Sequence, residues 1–288
     1  MIVTCNIMGG LGNQLFQIFA LISHALETQN PFVFMNVENV GTGSTINRPT
    51  YWNTFLKSLR PFIKDPNAIK INTMLQEDGA EQYTNLQKLV ASSLPRQLDN
   101  ILFYGYFQSY KYFQSNYHAI SKLIRLKEQQ MDARQYMPTP TTLSNVVVSM
   151  HFRFGDYKKI PDNVLPYSYF KNSIAHMYKK LDLDPRQKMH ILYFCEPDAV
   201  GDVAPYVDQL KTEFSDIAAF ELADTALPDY VQMMMMSLCS HHIVANSTFS
   251  WWGAYFNESS NKIVCYPETW TKCAQDFIPV GWNSVPVA

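Results

Sequence analysis

The sequence predicts an α/β protein made of two doubly wound domains with a cleft between them. Three observations carry this. Short apolar runs rich in β-branched residues alternate with stretches of helical spacing in both halves. Each half opens with a strand-like run that ends in a polar loop: residues 1–8 before GGLGNQ, and the apolar start of VVVSMHFRFGDY at 146–157 before its charged loop. The chain has 288 residues, longer than a typical single domain. The polar, proline-containing stretch 127–145 is the natural linker, which gives domains of 1–140 and 141–288. An apolar fraction of 47% against 17% charged residues suits a protein with a sizeable core.

In the first half, residues 2–8 read as a strand and GGLGNQ as a glycine loop. Residues 15–27 read as a helix with Leu15, Ile18, Phe19, Ile22 and Leu26 on one face. Strand, glycine loop and helix form the opening of a nucleotide-binding unit. Glycine lets backbone approach a ligand, and a helix N-terminus favours negative charge. The dinucleotide fingerprint is incomplete. Gly10-x-Gly12 is followed by Leu15 where a small residue is needed, and the strand at 32–35 ends in Asn36, not an acidic residue. A nicotinamide oxidoreductase is therefore disfavoured. Asn13 and Gln14 at the helix mouth either meet a ligand or simply cap the helix. Residues 41–49 read as a loop. The aromatics of 51–62 suit a core, and LFYGYFQSYKYF at 102–113 reads as core or as a platform for a ring.

In the second half, residues 146–157 place His151, Arg153 and Asp156 just past a buried strand. Ligands of open α/β sheets bind at that end of the strands. Arginine grips phosphate through two parallel hydrogen bonds and keeps its charge at any working pH. A surface ion pair between Arg153 and Asp156 is the plainer alternative. Residues 168–180 read as a helix and 189–195 as a strand. The latter ends in Glu196-Pro197-Asp198, carboxylates able to hold a ribose or to cap a loop. The helix at 229–239 carries Met233–Met236 as core filler. After a short strand at 243–245, NSTFSWWGAYF sets Asn246, Ser247 and Thr248 before an apolar helix, either as an anion site or as an ordinary cap. A last strand covers 263–266.

Charge and cysteines narrow the classes. A formal net charge of −2 gives no basic surface for nucleic acid. Cys5, Cys195, Cys239, Cys265 and Cys273 show no zinc or redox spacing and read as reduced thiols. No apolar stretch is long enough to span a membrane and no leader precedes the first strand, so a cytoplasmic location is expected. Asp182-Leu183-Asp184 has the spacing of metal-dependent sugar-nucleotide enzymes, but it precedes a strand, at the end away from the other motifs.

GGLGNQLFQ, GYFQSYKYF, HFRFGDY and NSTFSWWGAYF, in that order and spacing, resemble the motifs of the α-1,2-fucosyltransferases of glycosyltransferase family 11. The resemblance runs from about residue 5 to about residue 270. It implies a GT-B fold, with two Rossmann-like domains facing across a cleft. It implies GDP-fucose as donor, the 2-hydroxyl of a terminal galactose as acceptor, inversion at the anomeric carbon, and no metal or other cofactor. By resemblance the first domain is the acceptor side, and its Gly10, Gly12, Asn13 and Gln14 match the glycine loop facing the cleft and are expected among the donor contacts. The second binds the donor through Arg153, Glu196, Asp198, Asn246, Ser247 and Thr248. Arg153 matches the arginine that grips the pyrophosphate, and Asp156 and His151 are the candidate bases. One departure matters: the family's Phe-Ser-Asp-Asp is replaced here by Phe194-Cys195-Glu196-Pro197-Asp198. Two other readings are another GDP-sugar transferase and a non-catalytic carbohydrate- or nucleotide-binding relative. The short start looks more like the soluble bacterial or viral type than the anchored animal one.

Overall fold

The computed structural model describes residues 1–41, 47–77, 83–93, 100–139, 146–160, 163–184, 186–272 and 276–288. It divides into two units, Met1–Glu128 with Thr271–Pro279 and Gln129–Trp270 with Val280–Ala288. The expected boundary at 140/141 lies outside the described residues, and the units part at 128/129. The expected linker begins as helix, because Leu126–Ala133 closes an α-helical turn sequence followed by a 3₁₀ turn at Arg134–Tyr136.

The first unit runs β1 (Val3–Cys5), α1 (Leu11–Thr28), β2 (Phe34–Met35), β3 (Asn39–Gly41), β4 (Asn47–Pro49), β5 (Ile63–Lys64), β6 (Thr73–Gln76), α2 (Leu86–Ser93), β7 (Ile101–Tyr104), α3 (Tyr117–Leu123) and then α4 (Leu126–Ala133) into the second. Strands β1, β7 and β6 pair in parallel. The parallel β2–β5 pair joins β1 through the Val3–Phe32 bridge and the Val33 N–H donated to the Val3 carbonyl at 3.1 Å. The resulting order is β5-β2-β1-β7-β6. Helix α1 is buried almost all round as far as Ala25, so its face is wider than the predicted stripe. Leu26, assigned to that stripe, is 46% exposed in the last turn. The ends of the expected loop at 41–49 are strand, since Gly41 closes β3, Asn47–Pro49 forms β4, and the two pair antiparallel; residues 42–46 lie outside the described residues. The aromatic stretch is mainly core. Phe103, Phe107, Tyr112 and Phe113 are buried, and Phe113 packs on Phe16 and Phe19 of α1.

The second unit continues with β8 (Val147–His151), α5 (Tyr167–Leu181), β9 (Met189–Phe194), α6 (Val200–Glu213), β10 (Ala218–Leu222), α7 (Asp229–Leu238), β11 (His241–Ile243), α8 (Thr248–Tyr255), β12 (Val264–Pro267) and β13 (Asn283–Val285). The six strands are all parallel, in the order β10-β9-β8-β11-β12-β13. Counted within the unit this is 3-2-1-4-5-6, the Rossmann order, whose reversal falls between β8 and β11. Val148, Met150, Ile191 and Ile243 are at most 1% exposed, as expected for strands covered on both faces. Met233–Met236 are likewise core. Met236 meets α8 at Gly253, where a side chain would come within 2.8 Å of its Cβ.

A buried polar triad fixes β8 against β11. Asn257 donates to His242 Nε2 at 2.9 Å, so Nδ1 carries the ring proton and donates to Ser149 Oγ at 2.8 Å. Burial holds His242 well below its ordinary pKa and therefore neutral. Cys5, Cys195, Cys239 and Cys265 are buried free thiols, and burial pushes Cys195 up to about 12. Cys273 lies outside the described residues. Among the described residues no helix is long and apolar enough to cross a membrane.

Candidate active site

The reversal of strand order opens a crevice at the carboxyl ends of β8 and β11. The loop after β8 carries Arg153, and the loop after β11 carries Asn246 and Ser247 ahead of α8. The structure thus brings together two of the predicted motifs, 93 residues apart in sequence, on neighbouring strands.

Arg153 is held from two sides. Its Nη1 pairs with Glu196 Oε1, and its guanidinium lies 4.9 Å from the centroid of the Tyr157 ring. Glu196 also accepts the Phe154 N–H at 3.4 Å. Gly155 turns the chain with φ +20°, and its Cα abuts the Glu196 carboxylate. Glu196 therefore contacts the arginine loop, because the strand β9 ends beside β8. Asp198 is exposed in the 3₁₀ turn Pro197–Ala199. The side chain of Asp156 lies outside the described residues, though its backbone belongs to the 3₁₀ turn Gly155–Lys159.

His151 is the last residue of β8. It is 5% exposed and packs on Phe249 of α8 at 5.6 Å between ring centres. Burial, aided by the neighbouring Arg153 charge, pulls its pKa down to about 3. A group that sheds its proton so readily is a weak acceptor of one at neutral pH. Its Nδ1 is buried without a partner.

At β11, Ser247 caps α8 by accepting the Phe249 N–H at 3.3 Å, so its hydroxyl serves the helix. Thr248 is the first helical residue and is half-buried. Asn246 donates from Nδ2 to the Asn163 carbonyl at 2.9 Å, and its Oδ1 is buried and unpaired. The first N–H groups of a helix have no partner within it, so the start of α8 is suited to an anion.

The glycine loop lies at the carboxyl end of β1. Its helix starts earlier than predicted, at Leu11, so Gly12, Asn13 and Gln14 belong to the first turn of α1. The left-handed position is Gly9, φ +77°, whereas Gly10 is extended with open space beside it. Gln14 is fully buried and donates to the carbonyls of Gly9 and Pro49, both at 2.9 Å. These two bonds brace the loop. Asn13 Oδ1 accepts from Gln108 at 3.0 Å, tying this loop to the one after the neighbouring strand β7.

Two residues escaped sequence reasoning. Tyr157 was visible only as the last letter of a motif. Glu77 follows β6 and is 8% exposed. It accepts the N–H groups of Tyr106 and Phe107 at 3.0 and 2.8 Å and the Tyr112 hydroxyl at 2.9 Å. It thereby holds Phe107 at φ +51° and shapes the loop that carries Gln108. No local pattern marks such a carboxylate, because its partners are about 30 residues away. The Asp182-Leu183-Asp184 triplet sits before β9, at the opposite end of the sheet, and Asp184 takes Arg186 in a two-point pair at 3.0 Å. Among the described residues no group of three or more acidic, His or Cys side chains is placed to hold a metal.

Two parallel-sheet units, the second with the Rossmann order, place the chain in the GT-B-like class of α/β proteins. The profile of glycosyl transferase family 11 matches residues 1–278, and the chain belongs to that family. It is 24% identical over 292 residues to an alpha-1,2-colitosyltransferase of Escherichia coli, covering 93% of this chain and 92% of that one. It is 27% identical over 178 residues to the O-antigen biosynthesis glycosyltransferase WbnK of Escherichia coli, covering 58% and 54%. Among solved structures, it shares its fold with a mutant of Arabidopsis thaliana FUT1 in complex with GDP, at TM-score 0.51 and 12% identity over 96% of this chain and 75% of that one. It also resembles POFUT1 in complex with GDP-fucose, at TM-score 0.50 and 10% identity over 92% and 97%. The protein is a glycosyltransferase.

Proposed function

We propose that this glycosyltransferase moves L-fucose from GDP-fucose to the 2-hydroxyl of a terminal galactose, with inversion and without a metal. The observation that carries the donor site is the meeting of Arg153 and the start of α8 at the ends of the adjacent strands β8 and β11. A departing pyrophosphate gains negative charge, and fixed donors aimed at it lower the barrier without reorganising. Arg153 supplies charge and a two-point grip, and α8 supplies N–H groups. Asn246 and Thr248 complete the donor side, while Ser247 and Glu196 act by holding the helix and the arginine. The acceptor hydroxyl attacks the anomeric carbon as the carbon–phosphate oxygen bond breaks, and its proton passes to a base. Burial makes His151 the weaker base, so Asp156 is the candidate we propose. In the first unit, Gly10, Gly12 and Asn13 are the residues proposed to face the sugar.

The name of the colitosyltransferase relative favours one second reading. Colitose is fucose without its 3-hydroxyl, so the same phosphate grip serves either donor, and turnover of the two GDP-sugars side by side separates them. The donor site is tested by thermal shift with GDP, GDP-fucose, UDP and NAD, each with and without EDTA. A ligand at a hundred times its Kd stabilises by about 2.7 kcal/mol, a shift of several degrees. The expected result is a shift with the guanine nucleotides, unchanged by EDTA and lost in Arg153→Ala. A shift with NAD alone, or activity abolished by EDTA and restored by magnesium, overturns the corresponding part.

A further inference from the structure

Tyr157 closes the arginine motif and has no part in the chemistry described so far. Its ring lies under the Arg153 guanidinium at 4.9 Å. Its hydroxyl donates to the main-chain carbonyl of Asn246 at 3.0 Å, immediately ahead of the Ser247 cap of α8. One half-buried side chain thus touches both anion-gripping elements of the second unit. A hydrogen bond to main chain fixes where α8 begins, and an aromatic face under a guanidinium restricts a side chain that otherwise has much rotamer freedom. We infer that Tyr157 is a positioning residue that sets the spacing between Arg153 and the start of α8, so that both meet the same pyrophosphate.

The inference rests on the reading that Arg153 meets the donor phosphates, and its predicted signature is coupling. Phenylalanine keeps the ring and loses the link to Asn246, while leucine loses both. A neutral hydrogen bond contributes about 0.5–1.5 kcal/mol, so Tyr157→Phe is expected to lower donor kcat/KM by about two- to tenfold. Tyr157→Leu adds the loss of the cation–π contact and is expected to reach about ten- to fiftyfold. The KM for the acceptor stays as in the wild type in both variants.

The experiment measures GDP affinity by calorimetry, steady-state donor and acceptor parameters, and melting temperature. It uses wild type, Tyr157→Phe, Tyr157→Leu, Arg153→Lys and the double variant Arg153→Lys/Tyr157→Leu. Lysine has no planar face to lie on the ring, so in that background the leucine loss should shrink to about the two- to tenfold of the lost Asn246 link. A purely structural tyrosine would cost the same in both backgrounds, and that equality overturns the role. Tyr157→Phe guards against a leucine variant that fails to fold: if it binds GDP and uses the donor like the wild type, the role is refuted. Failure of the wild type itself to bind GDP refutes the donor reading and this role with it. GDP binding by the wild type that is untouched in both tyrosine variants refutes the role alone.

Discussion

Adding one methyl group at Gly155 should disable the arginine loop. The residue sits at φ +20°, where an L side chain is strained, and a Cβ there would lie 3.0 Å from Glu196 Oε1, 3.2 Å from its Cδ and 3.6 Å from Arg153 Nη1. The carboxylate cannot step aside freely, because it holds both the guanidinium and the Phe154 N–H. The backbone strain costs about 1–2 kcal/mol and the crowding about 1–3 kcal/mol, so Gly155→Ala should destabilise the fold by about 2–5 kcal/mol. The effect on transfer should be larger than stability alone explains, since a shift of about 1 Å in a positioned group costs up to about a hundredfold in rate. The assay is donor kcat/KM well below the melting temperature, with Gly201→Ala as control. A Cβ at Gly201 meets nothing within 4 Å, and the residue lies inside α6. The control should gain about 0.5–1 kcal/mol with unchanged kcat/KM. A Gly155→Ala protein with wild-type stability and activity would refute the account of this loop.

Further predictions concern packing and titration. Gly253→Ala drives a methyl to within 2.8 Å of Met236 Cβ and should destabilise by about 1–3 kcal/mol by denaturant melt. Burial raises the pKa of Glu77, so its stabilising contribution is greatest below the usual carboxylate range and declines as pH rises through the raised value. Glu77→Gln should flatten that slope of stability against pH. Burial lowers His151 from 6.5 to about 3, so its contribution is complete above pH 6.5 and is lost as pH falls toward 3. His151→Gln should remove up to about 1.4 kcal/mol of acid sensitivity per pH unit in that window, and the wild-type rate profile should show no inflection from this residue near 6.5.

The elements that position the donor site were legible because their patterns are local. A buried run followed by HFRFGDY gave β8 and its loop, and Asn246-Ser247-Thr248 before an apolar run gave the start of α8. Partnership was not legible. Whether Glu196 holds a ribose or an arginine depends on β9 lying beside β8, which no spacing reveals. The burial of His151 against Phe249 was hidden for a similar reason, being a tertiary event. The bracing role of Gln14 was not legible either. The hairpin that brings Pro49 to it was read as a loop, its strands being only three residues each. Strand β10 and helix α6 were also missed, the latter because Pro205 and Gly201 weaken its helical signal.

The central claim is tested most directly by the product. GDP-fucose and a terminal β-galactoside would be incubated with the enzyme in EDTA, and the linkage and anomeric configuration of the product read by NMR. The account predicts a fucose in α-linkage to the galactose 2-hydroxyl, its configuration inverted from the donor, and no product from Arg153→Ala. Transfer with retained configuration, transfer to another hydroxyl, or turnover only of a different nucleotide sugar would contradict it.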